Sequence, residues 1–243
     1  MQLIKLSATP STNTYLKDLM GEMNLIDFTV VIAKNQTQGR GQREAIWNSE
    51  EGKNLTFSIL KKNIGLYLSD TFIISMVVSL SIIEVLDALG VPKLHIKWPN
   101  DILSCNFKIG GILIENTIIG AKVARSIIGI GLNVNQKSFN GVPHASSLSK
   151  IMGTDFELDS ILLKLLNKLE ERLIELPALS KYKLIEEYNG HLFRRGERSQ
   201  FIDAKNQAFY GQITGITPAG LLQVETEKAG QKIFDLKEVK LLY

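Results

Sequence analysis

Cysteine is nearly absent: Cys105 is the only one in 243 residues. That rules out an internal disulfide and any zinc site built from several thiolates, and it fits a reducing, cytoplasmic compartment. Histidine is scarce as well, and His95, His144 and His191 show no ligand spacing. No sign of charge dominates: 28 Lys and Arg stand against 25 Asp and Glu for a net +3, with the signs interspersed. No basic stripe therefore points to nucleic acid. A hydrophobic run of membrane length is also missing. The most apolar stretch, Thr71 to Ile83, holds no charge over 13 residues, but a span needs roughly 20. Ser75, Ser79 and Ser81 dilute it further, so it reads as a core helix capped by Ser69 or Asp70. Met1-Gln2-Leu3-Ile4-Lys5-Leu6 is interrupted too early for a signal peptide and reads as a first strand. These absences leave a globular chain, 44% hydrophobic and 22% charged, long enough for one large domain and a small one.

The stretch that is most informative is Gly39-Arg40-Gly41-Gln42-Arg43-Glu44-Ala45-Ile46-Trp47. Glycines, arginines and an aromatic side chain sit together there, a composition suited to holding an anion. Phe28 to Ala33 before it is a β-branched apolar run, and Asn54 to Lys61 after it alternates like a half-buried strand. The connection from Lys34 to Lys53, entered through Gln36 and Gln38, is about 20 residues long, a length that in compact domains goes with function or disorder. With few apolar side chains to anchor it, this loop is expected to be mobile when empty and ordered by an anionic ligand.

Polar groups gather at the ends of several other segments. Thr9-Pro10-Ser11-Thr12-Asn13-Thr14 precedes Tyr15, Leu16, Leu19 and Met20 at helical spacing; the hydroxyls serve either as an N-cap or, with free N–H groups, as a ligand contact. Leu94-His95-Ile96-Lys97 reads as a strand broken at Pro99, which presents Asn100 and Asp101 at its tip, suited to a metal or a phosphate. Lys108 heads Lys108-Ile109-Gly110-Gly111-Ile112-Leu113-Ile114-Glu115, and Gly129 and Gly131 interrupt the strand from Lys122 to Val134. Interior glycines in strands mark close approach of a ligand or another backbone. Together these segments suggest one pocket lined from several strands.

In this order, Ser11-Thr12-Asn13, Gly39-Arg40-Gly41-Gln42 with Trp47 and Asn54-Leu55, Lys97-Trp98-Pro99-Asn100-Asp101, Lys108 to Glu115, and Gly129-Ile130-Gly131-Leu132-Asn133-Val134-Asn135 closely resemble the motifs of the biotin–protein ligases, the biotin–[acetyl-CoA-carboxylase] ligases. The resemblance implies an α+β fold: a mixed sheet with helices, like that of class II aminoacyl-tRNA synthetases, followed by a small SH3-like β-barrel. It implies a catalytic domain over residues 1–190 and a C-terminal domain over 196–243. The implied activity is ATP-dependent biotinylation of a carrier lysine through biotinyl-5′-AMP, with Mg²⁺. Biotin contacts then fall to Ser11, Thr12, Asn13, Gln36, Gly39, Arg40, Gly41, Gln42, Lys108 and Gly110. ATP contacts fall to Arg40, Gln42, Arg43, Trp47, Lys97, Asn100, Lys108 and Asn133. Arg40, Lys108 and Asp101 are the expected catalytic residues, and Asp101 is also the expected metal ligand.

Glu44 departs from this pattern, since a glycine commonly stands at its place in the family, and Arg43 is placed to share the charge role. Some members carry an N-terminal helix-turn-helix; with a first strand starting at residue 2, no DNA-binding module is expected here, and no membrane contact. The expected partner is a biotin carboxyl carrier protein or domain. Homodimers are frequent among members, but no interface is readable in the sequence. The alternatives are a lipoate–protein ligase-like acyl transfer, which the Gly39-Arg40-Gly41 loop and Lys97 to Asp101 disfavour, and a non-catalytic biotin- or adenylate-binding module. Further on, Leu158 to Leu176 carries a helical apolar stripe ended by Pro177, and a second helix is expected over Ser180 to Tyr188. Strands are expected at Gln207 to Ile216, Leu221 to Glu225, Lys232 to Leu236 and Val239 to Leu242.

Overall fold

A computed structural model describes residues 1–42, 45–176 and 179–243. Arg43, Glu44 and Pro177, to which the sequence assigns roles, lie outside the described residues. Strand β1 (Gln2–Thr9), helix α1 (Thr12–Glu22) and strand β2 (Thr29–Gln36) form a βαβ unit in which β1 and β2 pair in parallel. The remaining strands add on antiparallel: β3 (Leu55–Lys62), β4 (Leu94–Lys97), β5 (Asp101–Ser104), β6 (Phe107–Ile119) and β7 (Lys122–Leu132). The sheet runs β1-β2-β3-β7-β6-β5-β4.

Both faces of its centre are covered. Helix α2 (Phe72–Ala88) and helix α4 (Leu158–Glu175) pack one face; α3 (Leu148–Met152) is a short helix between β7 and α4. On that face Leu55, Phe57 and Ile59 of β3 and Ile128 and Ile130 of β7 meet the helices. Across the sheet, Leu16 of α1 packs on Val31, Leu60 and Ile127. Strand β3 is consequently buried from Leu55 through Leu60, where alternation in the sequence suggests burial on one face only. Each fully buried Leu or Ile contributes about 1.5–3 kcal/mol. The stretch Leu68–Ala88 is long and apolar enough to cross a membrane, yet most of it is buried in this core. Its cap also differs from the expectation: a 3-10 turn at Leu68–Asp70 leads in, and Thr71 occupies the N-cap with its hydroxyl donated back to the Leu68 carbonyl rather than capping the helix.

Helix α5 (Lys181–Gly190) leads to a five-stranded antiparallel sheet made of β8 (Arg198–Asp203), β9 (Ala208–Ile216), β10 (Leu222–Thr226), β11 (Gly230–Phe234) and β12 (Val239–Leu242), in the order β11-β10-β9-β8-β12. The first of these strands, β8, has no counterpart in the sequence reading, nor has α3. Phe201, Ile213 and Val224 join the same continuous core as the large sheet. Trp98 Nε1 donates to the Gly220 carbonyl at 2.9 Å, and the Ile216 amide donates to Asn189 Oδ1 at 3.1 Å. Gly220, at φ +85°, lies so close to Phe72 that a Cβ there would overlap the ring.

Candidate active site

A cleft of about 330 Å³ opens on the α1 face of the large sheet and runs to the five-stranded sheet. Its polar end is the start of α1. Ser11, the N-cap residue, makes no side-chain cap bond; Gln36 at the end of β2 caps the helix instead. Gln36 Oε1 accepts from the Thr12 amide at 2.8 Å and from Thr12 Oγ1 at 3.1 Å, satisfying one of the free N–H groups of the first turn. Ser58 of β3 donates within reach of both Thr12 Oγ1 (2.7 Å) and Asn13 Oδ1 (2.6 Å). Asn13 Nδ2 in turn donates to Glu115 Oε2 at 2.7 Å.

The loop between β2 and β3 folds over the cleft as a small hairpin. The Trp47 amide donates to the Gly39 carbonyl (2.9 Å), Arg40 bridges Ile46, and the Glu50 amide donates to Gln136 Oε1 (3.0 Å). Trp47, one of the loop's few apolar side chains, anchors it: its ring lies on Gly131 and Gly111, and a Cβ at Gly131 would fall inside the indole. Trp47 Nε1 is buried with no hydrogen-bond partner. Arg40 Nη2 reaches both oxygens of Glu115 at 3.2 Å. Gln42, Gly41 and Arg40 line the cleft, whereas Gly39 shapes the hairpin behind it.

At the floor stands Lys108. Its Nζ is 2.6 Å from Asp101 Oδ1 and 5.8 Å from the Trp47 ring centroid. Its backbone is pinned, since its amide donates to the His144 carbonyl (2.7 Å) and its carbonyl accepts from the Ser146 amide (2.9 Å). Lys97 pairs across the β4–β5 hairpin with Asp101, Nζ to Oδ2 at 3.6 Å. Burial pushes the Lys97 ammonium below the ordinary lysine value; Asp101 opposes this and Lys108 adds to it. Tyr243 lies under Lys97, 5.0 Å from Nζ to the ring centroid, and burial raises its phenol. Arg40, Lys97, Lys108 and, from β12, Lys240 outnumber Asp101 and Glu115, so the cleft favours anions.

A bulge brings Lys108 to this face. Leu103 pairs with Lys108 but Ile102 with Gly110, so β6 carries one extra residue, Ile109. The pleat reverses there, and Lys108, Gly111, Leu113 and Glu115 share the cleft side. Gly110 is thereby turned away, toward Ile102 and Leu132, and Gly111 takes the place expected of it beside Lys108. Asn133 does not line the cleft either: it is buried and donates from Nδ2 to the Ser146 carbonyl at 3.0 Å. Asn100 lines it, but its Nδ2 is committed to the Ile112 carbonyl at 2.8 Å. The expected contacts Ser11, Thr12, Asn13, Gln36, Arg40, Gly41, Gln42, Trp47, Lys97, Asp101 and Lys108 do converge on one cavity. Glu115 and Ser58 were given no role by sequence reasoning. The strand parity broken by the bulge concealed Glu115, and nothing in the sequence marks Ser58.

A family model described as the biotin/lipoate A/B protein ligase family matches residues 6–133. The chain is 30% identical over 217 residues to the bifunctional ligase/repressor BirA of Bacillus spizizenii, covering 87% of this chain and 66% of that protein. It is 30% identical over 179 residues to the biotin–[acetyl-CoA-carboxylase] ligase of Mycobacterium tuberculosis, covering 72% of this chain and 65% of that one. It thus spans about two thirds of the length of these relatives. Among solved structures, a biotin protein ligase from Aquifex aeolicus, in complex with biotin and ATP, superposes with a TM-score of 0.83 at 28% identity, covering 99% of this chain and 98% of that one. With its α+β fold of a seven-stranded mixed sheet and a five-stranded antiparallel sheet, the chain belongs to the biotin/lipoate A/B protein ligase family.

Proposed function

We propose that this protein joins biotin to a lysine of a biotin carboxyl carrier protein or domain, with ATP as co-substrate and biotinyl-5′-AMP as intermediate. In the first step the biotin carboxylate attacks the α-phosphorus of ATP and pyrophosphate leaves. In the second, the neutral carrier amine attacks the acyl carbon, AMP leaves, and the amine's proton passes to solvent or a nearby base. Carboxylate and phosphate are both anions, so their approach requires fixed positive charge in a site shielded from water. The observation that carries the reading is Lys108, pinned at the cleft floor by Asp101 and by its own backbone, between the polar wall of Thr12 and Gln36 and the anion-binding loop.

In this reading Lys108 spans the carboxylate and the α-phosphate, and Arg40 supplies a second cation. Ser11, Thr12, Asn13 and Gln36 face the uncharged ureido ring, with Gly41 and Gln42 above it; Trp47 lies toward the adenine, and Lys97 toward the phosphates. A divalent cation held by the protein does not fit the donor set. Asp101 is engaged by two ammonium groups and Glu115 by Arg40, and no cluster of three or more His, Cys, Asp or Glu occurs among the described residues. Mg²⁺ therefore arrives with ATP as part of the substrate; Asp101 orients Lys108 and is the carboxylate of the cleft that would meet a phosphate-bound Mg²⁺. The single cysteine supports work in a reducing cytoplasm.

Biotin-dependent exchange of pyrophosphate into ATP, followed by transfer to a carrier domain, tests the proposal. Exchange with biotin and not with lipoate is expected. Exchange driven only by lipoate would assign the protein to the other branch of the family.

A further inference from the structure

Arg40 sits on the loop, Asn13 on α1, Ser58 on β3 and Glu115 on β6, yet one line of hydrogen bonds joins them. Gln36 meets Thr12, Ser58 reaches Thr12 and Asn13, Asn13 holds Glu115 at 2.7 Å, and Glu115 takes Arg40 Nη2 on both oxygens at 3.2 Å. Glu115 is the only acid that pairs with Arg40 among the described residues. We infer that Glu115 is a positioning residue: it aims the Arg40 guanidinium and couples the polar end of the cleft to the loop that covers it.

Three features support this. Asn13 is held in one orientation, because Ser58 donates to its Oδ1 at 2.6 Å and its amide fills the space left by the missing side chain of Gly129. Its Nδ2 is therefore aimed at Glu115, leaving the carboxylate to meet the arginine. Second, Arg40 uses one nitrogen on Glu115 and lines the cleft with the rest of its side chain, so the pair fixes its direction without consuming all its donors. Third, the side chains are part-exposed, 48% for Arg40 and 31% for Glu115. An ion pair this open is a weak clasp, suited to an adjustable part and not to holding the fold. Any ligand that fixes Asn13 or Thr12 stiffens Glu115 and, through it, Arg40.

This inference rests on the biotin reading only for the identity of the ligand. The test begins without ligand, following trypsin cleavage after Arg40 by mass spectrometry in wild type and Glu115→Gln, with thermal unfolding as a control. The variant is expected to unfold at an unchanged temperature and to be cut about fivefold faster. A double-mutant cycle on kcat/KM for the acid substrate follows, with Arg40→Gln, Glu115→Gln and the pair. Glu115→Gln is expected to cost about tenfold and Arg40→Gln at least as much, since it removes the cation as well as the pair; the double should fall no more than about twofold below Arg40→Gln. Unchanged cleavage, or single losses that multiply in the double variant, would overturn the role of Glu115. A protein that acts on lipoate but shows the same coupling would retain the latch and lose only the biotin assignment.

Discussion

At the scale of single residues, the proposed chemistry rests most on Lys108. Replacing it by alanine removes the cation that Asp101 holds at 2.6 Å and leaves Asp101 facing Lys97 alone. The rate of biotin-dependent pyrophosphate exchange should fall by about 10²-fold or more, the scale for loss of one preorganised electrostatic donor. Near-normal exchange would remove Lys108 from the reaction. Gly131 carries a second prediction at this scale. Its missing side chain is what lets the Trp47 indole lie on β7, so Gly131→Ala should expel the ring and shift the tryptophan emission to the red. The loop should also become easier to cut at Arg40 and Lys53. An unshifted spectrum would mean that the ring does not rest there. That Lys108, Arg40 and Trp47 meet in one cleft was legible through the ordered motifs of the resemblance, since a Gly-Arg-Gly loop taken alone reads as a solvated basic turn. Glu115 was not, since counting along β6 by twos from Lys108 places it on the wrong face until the bulge at Ile109 is known.

Elements show a different limit of legibility. The helical stripe from Leu158 was readable because a period of 3.6 over many residues has few rivals, and the run from Thr71 because 13 uncharged residues outlast an ordinary strand; they correspond to α4 and α2. Strand β3 reads as half-buried from its own residues; only the arrival of α1 on one side and of α2 and α4 on the other buries both faces. Strand β8 is short and mixed in composition, and its pairing with β9 and β12 is what makes it a strand. Where α2, α4 and α5 meet, Glu84 lies between Lys168 and Arg172, and Arg172 also grips Glu187. Burial works to raise the Glu84 carboxyl, but the two cations outweigh it and hold it below its ordinary 4.5. A depressed carboxyl stabilises the fold above its unfolded value and loses that contribution as pH falls through the folded one. Glu84→Gln should therefore lower the urea midpoint at pH 7 and narrow its gap from wild type below pH 4.5. A gap that stays constant from pH 7 to pH 3 would show that the cluster contributes no net charge stabilisation.

The whole molecule is joined by a contact that neither sheet shows alone. Val239, Lys240 and Leu241 of β12, with Ile213 and Leu222, form one wall of the cleft, while Lys108 and the loop form the others. The cleft is complete only when the small sheet is docked. Docking depends on Gly220: its φ of +85° suits glycine, its carbonyl receives Trp98 Nε1, and its open side admits Phe72 of α2. Removing everything after Arg195 would strip Phe201, Ile213, Ile216, Leu222 and Val224 from a shared core, so loss of activity on truncation would confuse missing chemistry with missing stability. Gly220→Ala keeps the whole chain and attacks the joint alone, because the added methyl overlaps Phe72 and the residue must leave its left-handed conformation. The small sheet should then loosen while Thr12, Gln36 and Lys108 keep their places on the large one. Binding of the acid substrate should change little, and adenylation and carrier transfer should fall by about tenfold or more, since the wall that excludes water from the mixed anhydride is displaced. A variant with wild-type rates for both half-reactions would show that this wall is scaffolding, and equal losses in acid binding and rate would show that the two sheets fold as one inseparable unit.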